Sequence, residues 1–264
     1  MVERLHDTQK VGGSIPPRRT RILFSVNIQI IYEDKNFVAV NKPAGLLVHR
    51  VQSKTKEATL VDWLLEHYPQ IKSVGDDCQI RPGIVHRLDK GTSGVLLVAK
   101  NQEYFYYLKK LFQRHEIEKI YLALVWGKVV PKEGIVDKPI GLKPGSVKRT
   151  VFINKAKMVK SAITKYKVKE YLLASKAGLP NYSLLEVAPK TGRTHQIRIH
   201  LASIGHPVVG DPLYGGKRAS DLGRLFLHAY SLEFTPEQGK KIKLVADLPS
   251  DLTDYLYSVK LGLR

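Results

Sequence analysis

Cysteine is almost absent from this chain: Cys78 is the only one among 264 residues. One cysteine cannot form an intramolecular disulfide or supply a cysteine-based zinc site. Disulfide-framed extracellular domains are therefore excluded, and so are zinc-dependent base deaminases, which need cysteine ligands.

Long hydrophobic runs are also missing. The longest apolar stretches, such as Gly94–Ala99 and Tyr121–Trp126, are far shorter than a membrane span. Residues 1–10 are charged and have no apolar centre, unlike a secretory signal. Apolar residues nevertheless make up 43% of the chain, which is enough for a globular core. Together with the single cysteine, these features predict a soluble protein of a reducing compartment, the cytoplasm.

Acidic residues are few relative to basic ones. The chain has 43 Lys and Arg against 24 Asp and Glu, a net charge of +19, and the segment Lys128–Lys176 alone has 13 basic and 3 acidic residues. Such an excess favours a polyanionic partner, and nucleic acid fits better than a membrane because no basic amphipathic helix stands out. The alternative is a solvated, lysine-rich surface of the kind found in thermophiles.

One carboxylate stands alone in the loop segment Arg81–Gly94. Asp89 is the only acid between Asp77 and Glu103. A lone carboxylate on a loop between two apolar segments is a candidate nucleophile or general base. The alternative is an aspartate that hydrogen-bonds its own backbone in a turn. The residues themselves leave both interpretations open.

A second polar cluster spans Arg193–His200. Thr194 is expected to begin a helix in which Arg198 lies beside the apolar stripe and reaches a cleft, where its charge would keep a carboxylate ionised. A solvated or phosphate-contacting helix N-terminus is the alternative. His195 and His200 are five residues apart and do not share a helix face, which disfavours a metal site.

Tyr121 lies in the alternating segment Lys119–Gly127, which predicts a strand. A tyrosine on a strand usually belongs to the core, with its hydroxyl bonded to a partner. That interpretation fails only if Tyr121 lines the same cleft as Asp89.

Strand patterns outnumber helix patterns, and the helices occur singly, which predicts an α+β fold rather than a doubly wound sheet. Thr59 and Asn101 are expected N-caps of two helices, and a third is expected to end before Gly205. Residues 131–146 are expected to form a long basic loop or hairpin, and residues 1–24 a flexible basic tail. Strands are predicted at Ile28–Tyr32, Phe37–Val40, Gly94–Lys100, Tyr121–Val125, Ala162–Val168, Tyr182–Val187, Leu225–Phe234 and Lys241–Ala246.

Five ordered sequence blocks resemble the RluA-type pseudouridine synthases. The central block is His86-Arg87-Leu88-Asp89 followed by Thr92-Ser93-Gly94. The other four are the segment 32–46 with Asn41-Lys42-Pro43-Ala44-Gly45, a tyrosine block at 119–123, an arginine block at 192–215, and Leu227-His228-Ala229. The resemblance extends over about residues 28–250, which makes it far more specific than any single motif.

The resemblance implies an α+β fold with a mixed, largely antiparallel sheet, a central active-site cleft and flanking helices. It also implies an enzyme that isomerises selected uridines in ribosomal or transfer RNA to pseudouridine, with the target base flipped out and with no cofactor or metal. By position, Asp89 would be the catalytic aspartate and Arg198 its partner. Tyr121 would stack on the uracil and act as, or relay to, the base that removes the C5 proton.

Further roles follow from the same resemblance. Arg87 would lie beside the flipped nucleotide, and Lys42 would have a structural role or contact RNA. The lysine-rich segment 128–176 would bind the RNA backbone. Additional substrate or RNA contacts are expected from His86, Thr92, Arg193, His195 and Gln196.

The chain departs from the family in two places. Gly91 stands where the family often has an acidic or polar residue. The roughly 27 residues before the first block do not resemble the S4-type RNA-binding domain of many members, which leaves ribosomal and transfer RNA both open. We expect residues 25–264 to form one catalytic domain and, without a coiled-coil pattern, a monomer. An inactive RNA-binding or RNA-chaperone module on the same scaffold is the alternative function.

Overall fold

The structure is a computed structural model and describes residues 27–50, 57–146, 148–173, 179–216, 220–237 and 239–263. The predicted tail, residues 1–24, lies outside the described residues. The α-helices within these ranges are α1 (Leu60–His67), α2 (Gln102–Gln113), α3 (Gln196–Ser203) and α4 (Ser250–Lys260). The strands are β1 (Gln29–Glu33), β2 (Phe37–Lys42), β3 (Ser93–Ala99), β4 (Glu118–Trp126), β5 (Glu133–Asp137), β6 (Ile140–Leu142), β7 (Arg149–Thr150), β8 (Lys157–Lys160), β9 (Ile163–Leu172), β10 (Tyr182–Pro189), β11 (Leu227–Phe234) and β12 (Ile242–Val245).

Nine strands form one mixed sheet in the order β1-β2-β3-β11-β4-β10-β9-β5, with β12 also paired to β11. β3 and β11 run parallel, and the other described pairings in this sheet are antiparallel. Every residue of β3 is buried, which explains its unbroken apolar sequence. The α+β class and the largely antiparallel sheet are confirmed.

Two apolar cores divide the molecule. The first is built on β1, β2, β3, α1 and α2, and the second on β4, β9, β10, α3 and α4. β11 joins the two halves because Ala229 is in register with Gly94 on one side and with Tyr121 on the other. Gly94 has φ +117°, and a Cβ added there would overlap the Ala229 carbonyl. Tyr121 packs at the edge of both cores.

A second, three-stranded sheet in the order β7-β6-β8 lies within a segment that we call the arm, Ile140–Lys160. Its contacts near α3 include the packing of Ile140 with Ile199 in a small cluster and a hydrogen bond of 3.0 Å from the Arg149 amide to the Tyr214 hydroxyl. The arm leaves large apolar side chains exposed, including Phe152 at 85% and Met158 at 70%.

The predicted helix starts differ in accuracy. Thr59 and Asn101 cap α1 and α2 through their side chains, as the sequence indicates. α3 begins at Gln196 rather than at Thr194, because His195 adopts a left-handed conformation with φ +59°. The prediction also omitted α4 entirely. Residues 131–146, predicted as a long basic loop or hairpin, contain β5 and β6, which pair with β9 and with β7 and β8 and not with each other.

None of the helices in the described part of the chain is long and apolar enough to span a membrane.

Candidate active site

A cavity of about 630 Å³ opens between the two halves of the sheet. Asp89, in the loop before β3, lines it together with Tyr121 of β4 and Arg198 of α3. The strand register brings Asp89 and Tyr121 together. Gly94 of β3, the strand that follows the Asp89 loop, aligns with Ala229 of β11 and Tyr121 of β4. Three side chains that are far apart in sequence therefore face one space.

Arg198 connects two carboxylates. One terminal nitrogen donates to Asp89 Oδ2 at 3.2 Å, while Nε and the other terminal nitrogen donate to Asp211 at 2.8 Å each. The arginine side chain is only 7% exposed and Asp211 is fully buried, whereas Asp89 is 24% exposed to the cavity. Arg198 is thus held from behind and presents one donor to the accessible carboxylate.

Asp211 is ionised despite its burial. Burial alone would raise its pKa, but the hydrogen bonds from Arg198 and from the backbone amides of Leu213 and Tyr214 lower the pKa below its ordinary value. The pKa of Arg198 is raised because both carboxylates outweigh the opposing effect of burial. Arg198 and Asp211 therefore both stay charged; the pair holds Asp89 in place and does not donate a proton.

His195 also lies beside Asp89, near the same carboxylate oxygen that Arg198 contacts. Its Nε2 is 4.0 Å from Asp89 Oδ2, and its Nδ1 is hydrogen-bonded to the Tyr214 hydroxyl at 3.0 Å. Burial lowers the pKa of the imidazole more than the nearby carboxylates raise it. We therefore treat His195 as neutral at neutral pH, available as a hydrogen-bonding group beside Asp89.

Tyr121 is half-buried, and its ring forms part of the cavity wall. Burial raises the pKa of the phenol, and the Asp89 carboxylate raises it further. The hydroxyl is therefore protonated at neutral pH. The tyrosine is not only a core residue, because it shares the cavity with Asp89, which is the condition that the sequence interpretation set.

Two further predicted residues, Arg87 and Thr92, lie at the cavity. Arg87 is exposed and donates to the Thr194 hydroxyl at 2.9 Å, which connects the Asp89 loop to the start of α3. Thr92 is only 2% exposed, and its Oγ1 has no hydrogen-bond partner among the described residues. A buried hydroxyl without a partner is costly unless a ligand provides one.

Other predicted contact residues are already engaged within the protein. Lys42 is fully buried, and its ammonium donates to the carbonyls of Pro43 and Leu46 at 2.7 and 2.8 Å, so its geometry matches the structural role and not the RNA contact. Burial lowers its pKa to about 7. His86 accepts from the Leu97 amide at 2.9 Å, and burial lowers its pKa to about 3.

Gln196 and Arg193 stabilise the turn before α3. Gln196 is buried; its carbonyl accepts from Thr191 and from the Arg193 amide, and its amide group donates to Ile163. Arg193 lines the cavity and donates through Nε to the Ser161 carbonyl at 3.0 Å. Both residues are near the site, but only Arg193 has a partly exposed side chain.

Sequence reasoning did not single out Asp211 and Tyr214, although both lay within the arginine block. Asp211 supports Arg198 as described, and the Tyr214 ring lies 5.3 Å from the Arg198 guanidinium carbon. In the sequence, Asp211 stood out only as an isolated acidic residue directly after Gly210, which has φ +73° in the structure. Its pairing with Arg198, 13 positions away in the chain, could not be predicted from that local pattern.

No group of three or more histidine, cysteine or acidic side chains in the described ranges is arranged to hold a metal ion. What the site does contain is an accessible carboxylate held by an arginine, a neutral phenol and a neutral imidazole around one cavity. This set supports carboxylate-based nucleophilic or proton-transfer chemistry on a ring-sized substrate.

Comparison with known proteins agrees with the resemblance. The sequence model of a family described as RNA pseudouridylate synthase matches residues 36–203. A ribosomal large subunit pseudouridine synthase D of Nitrosomonas europaea is 39% identical over 245 residues, covering 89% of this chain and 66% of that protein. An uncharacterized RNA pseudouridine synthase of Aquifex aeolicus is 44% identical over 196 residues, covering 74% and 58%.

The comparison with solved structures agrees with the sequence comparison. Human RNA pseudouridylate synthase domain containing 1 superposes with a TM-score of 0.67 at 26% identity and covers 89% of this chain and 95% of that one. The human domain containing 4 protein gives 0.66 at 26% identity, covering 88% and 92%. The chain spans 66% and 58% of the length of the two bacterial relatives above. By sequence and by fold, it belongs to the RNA pseudouridylate synthase family.

Proposed function

We propose that this chain isomerises selected uridines in RNA to pseudouridine, with Asp89 as the catalytic residue. The observation that carries the proposal is the meeting of Asp89, Arg198 and Tyr121 at one cavity. In the reaction, the bond from C1′ to N1 breaks, the uracil turns, and C5 bonds to C1′; the C5 proton then leaves and N1 gains a proton. Nothing is added or lost, which fits a site without a second substrate.

A carboxylate that is ionised at neutral pH can act without an activating base. The Arg198 hydrogen bond to Asp89 fixes the orientation of the attacking or proton-accepting oxygen. Asp211 holds Arg198, so that the orientation of Asp89 does not depend on a mobile side chain. We regard Arg198 and Asp211 as positioning residues.

The target uracil must leave the RNA stack to reach Asp89, which costs a few kcal/mol. Stacking on Tyr121 would return about 1–3 kcal/mol. The unpartnered Thr92 hydroxyl at the cavity is suited to bind a polar edge of the base. Arg87 lies on the same loop, two residues before Asp89, and would occupy the space next to the flipped nucleotide.

The RNA backbone would lie along the arm and the neighbouring strand β9. Lys155, Lys157 and Lys160 are exposed on the arm, and Lys165 and Lys167 are exposed on β9. Exposed aromatic rings among lysines suit single-stranded or flipped nucleotides, and Phe152 of the arm provides one. The bacterial relative named for the ribosomal large subunit favours ribosomal over transfer RNA as the substrate.

We also propose that residues 25–264 act as one catalytic domain, as a monomer, in the cytoplasm, where both RNA and a reduced cysteine are expected. An inactive RNA-binding module is the competing function. It has the basic charge in its favour, but it gives no reason for a supported carboxylate at the cavity.

The decisive experiment measures tritium release from RNA labelled at C5 of uridine. The wild-type chain is expected to release tritium, and Asp89→Asn to reduce the rate by at least about three orders of magnitude while RNA binding is retained. Asp76→Asn is the matched control, because Asp76 lines the same cavity but pairs with Lys109 at 2.8 Å. A wild-type chain that binds RNA without releasing tritium would establish the competing function instead.

A further inference from the structure

Lys119 lies on the cavity wall two residues before Tyr121 on β4. Side chains two apart on a strand project from the same face, with Cα atoms about 7 Å apart. The Lys119 side chain is half-buried, and its ammonium nitrogen lies 6.0 Å from the centre of the Phe112 ring. The lysine therefore faces the same space as the phenol.

No acidic side chain in the described ranges pairs with Lys119. The nearby charge that affects it most is Lys190, which is repulsive, and burial together with Lys190 lowers its pKa to about 8. Lys109 at the same cavity differs, because it forms an ion pair with Asp76 at 2.8 Å. Lys100 likewise pairs with Glu33 at 2.7 Å.

Within the part of the chain that the structure describes, no internal anion forms an ion pair with Lys119. His86 is close enough to be affected electrostatically, but it is neutral and its Nε2 already accepts from the Leu97 amide. The nearest catalytic carboxylate, Asp89, is held by Arg198. A half-buried ammonium at the cavity with no acidic partner among the described residues is unfavourable unless an anion binds beside it.

We propose that Lys119 binds a backbone phosphate next to the target uridine and so positions the nucleotide against Tyr121. This inference rests on the proposed function, because the anion is taken to belong to the RNA substrate. A phosphodiester fits because it is the only charged group that RNA presents at a fixed distance from each base. Lys119 is thus a positioning residue.

The first experiment compares Lys119→Met with Lys119→Arg in tritium release. For Lys119→Met, KM for RNA should rise about tenfold, the loss expected for one charge-assisted hydrogen bond, while kcat stays within about threefold. The slope of log affinity against log salt should become shallower by about 0.7–0.9. Lys119→Arg should restore both values. Lys260→Met, which removes a charge from α4 outside the cavity, is the control.

The second experiment identifies the phosphate. Short RNAs would carry one neutral methylphosphonate at each position around the uridine in turn. One substitution should weaken binding to the wild-type chain about tenfold and have no further effect on Lys119→Met, because the same contact is already lost. Lys119→Gln replaces Lys119→Met if thermal melting shows that the latter is unfolded.

Three results would overturn the inference: an unchanged KM and salt slope in Lys119→Met, a loss confined to kcat, or equal sensitivity of variant and wild type to every neutral phosphate. Each of these requires an active wild-type chain. Failure of the proposed function itself would instead appear as a wild-type chain that releases no tritium.

Discussion

Asp211 accepts two hydrogen bonds from the Arg198 guanidinium, both of 2.8 Å. The pair is almost entirely excluded from solvent, whereas the third hydrogen bond of Arg198 goes to the accessible Asp89. A bidentate contact fixes the plane of the guanidinium as well as its position. The orientation of the proposed catalytic carboxylate therefore depends on a residue that does not itself reach the cavity.

Asp211→Asn should impair both stability and activity. Removing one charge of a buried pair leaves the other uncompensated, so we expect the free energy of unfolding to fall by about 3 kcal/mol. A misoriented Arg198 should lower the rate of tritium release about 100-fold. Chemical denaturation and single-turnover kinetics measure the two effects. Asp251→Asn is the matched control, because Asp251 pairs with Arg224 at 2.9 Å but is 49% exposed and should cost less than about 1 kcal/mol. Equal losses in the two variants would contradict the role of Asp211.

Tyr121→Phe separates the ring from the hydroxyl. The ring would still stack on the uracil, so RNA affinity should be retained, while the rate should fall about 100-fold if the hydroxyl transfers or relays a proton. Tyr121→Ala should in addition weaken binding by about 1–3 kcal/mol. Filter binding and tritium release distinguish the two losses. A Tyr121→Phe variant as fast as the wild type would restrict the tyrosine to stacking.

The lysines of the arm and of β9 should govern the salt dependence of RNA binding. Replacing Lys155, Lys157 and Lys160 by Gln should weaken affinity and lower the salt slope by about 0.7–0.9 per lost phosphate contact. Adding Lys165→Gln and Lys167→Gln should lower it further. The control removes three exposed charges elsewhere, at Lys72, Lys243 and Lys260. If both triple variants show the same slope, the RNA does not lie on the arm.

His86 should make the protein less stable in acid. Its pKa is about 3 in the folded chain, against about 6.5 when unfolded, so the unfolded state binds more protons between these values. Stability is therefore lost as the pH falls from 6.5 towards 3, by up to about 1.4 kcal/mol per pH unit from this group. Denaturation of His86→Asn across this range should show a shallower loss than the wild type, though not a flat one, since burial also lowers the pKa of His228 and His200. A slope identical to that of the wild type would exclude His86 as a cause.

Local signals predicted much of the fold correctly. Thr59 and Asn101 act as caps because their side chains bond backbone amides a few residues away, which is a short-range effect. Helix α4 was missed although Leu252, Tyr255 and Val259 are its buried residues, because it follows Pro249 without a side-chain cap. β8 was missed because all four of its residues are exposed, so no alternation marks it.

The grouping of the candidate site residues was expected only from the family resemblance, which supplies long-range information. Composition and spacing suggested Asp89 and Arg198 separately, but their contact joins positions 109 residues apart. Lys42 is a different case: a structural role and an RNA contact were both left open, and the fold buries the side chain completely among carbonyl groups. Which polar residues turn inward is decided by tertiary packing, and no local pattern encodes it.

Gly94 determines how closely β3 and β11 approach each other, and so how wide the candidate active site is. With a hydrogen in place of a side chain, β3 can approach the Ala229 carbonyl of β11, and the two halves of the sheet close on each other. One methyl group at this position would wedge the halves apart and carry the Asp89 loop away from the Tyr121 wall. The distance between the Asp89 carboxylate and the Tyr121 phenol therefore depends on the absence of a side chain at Gly94.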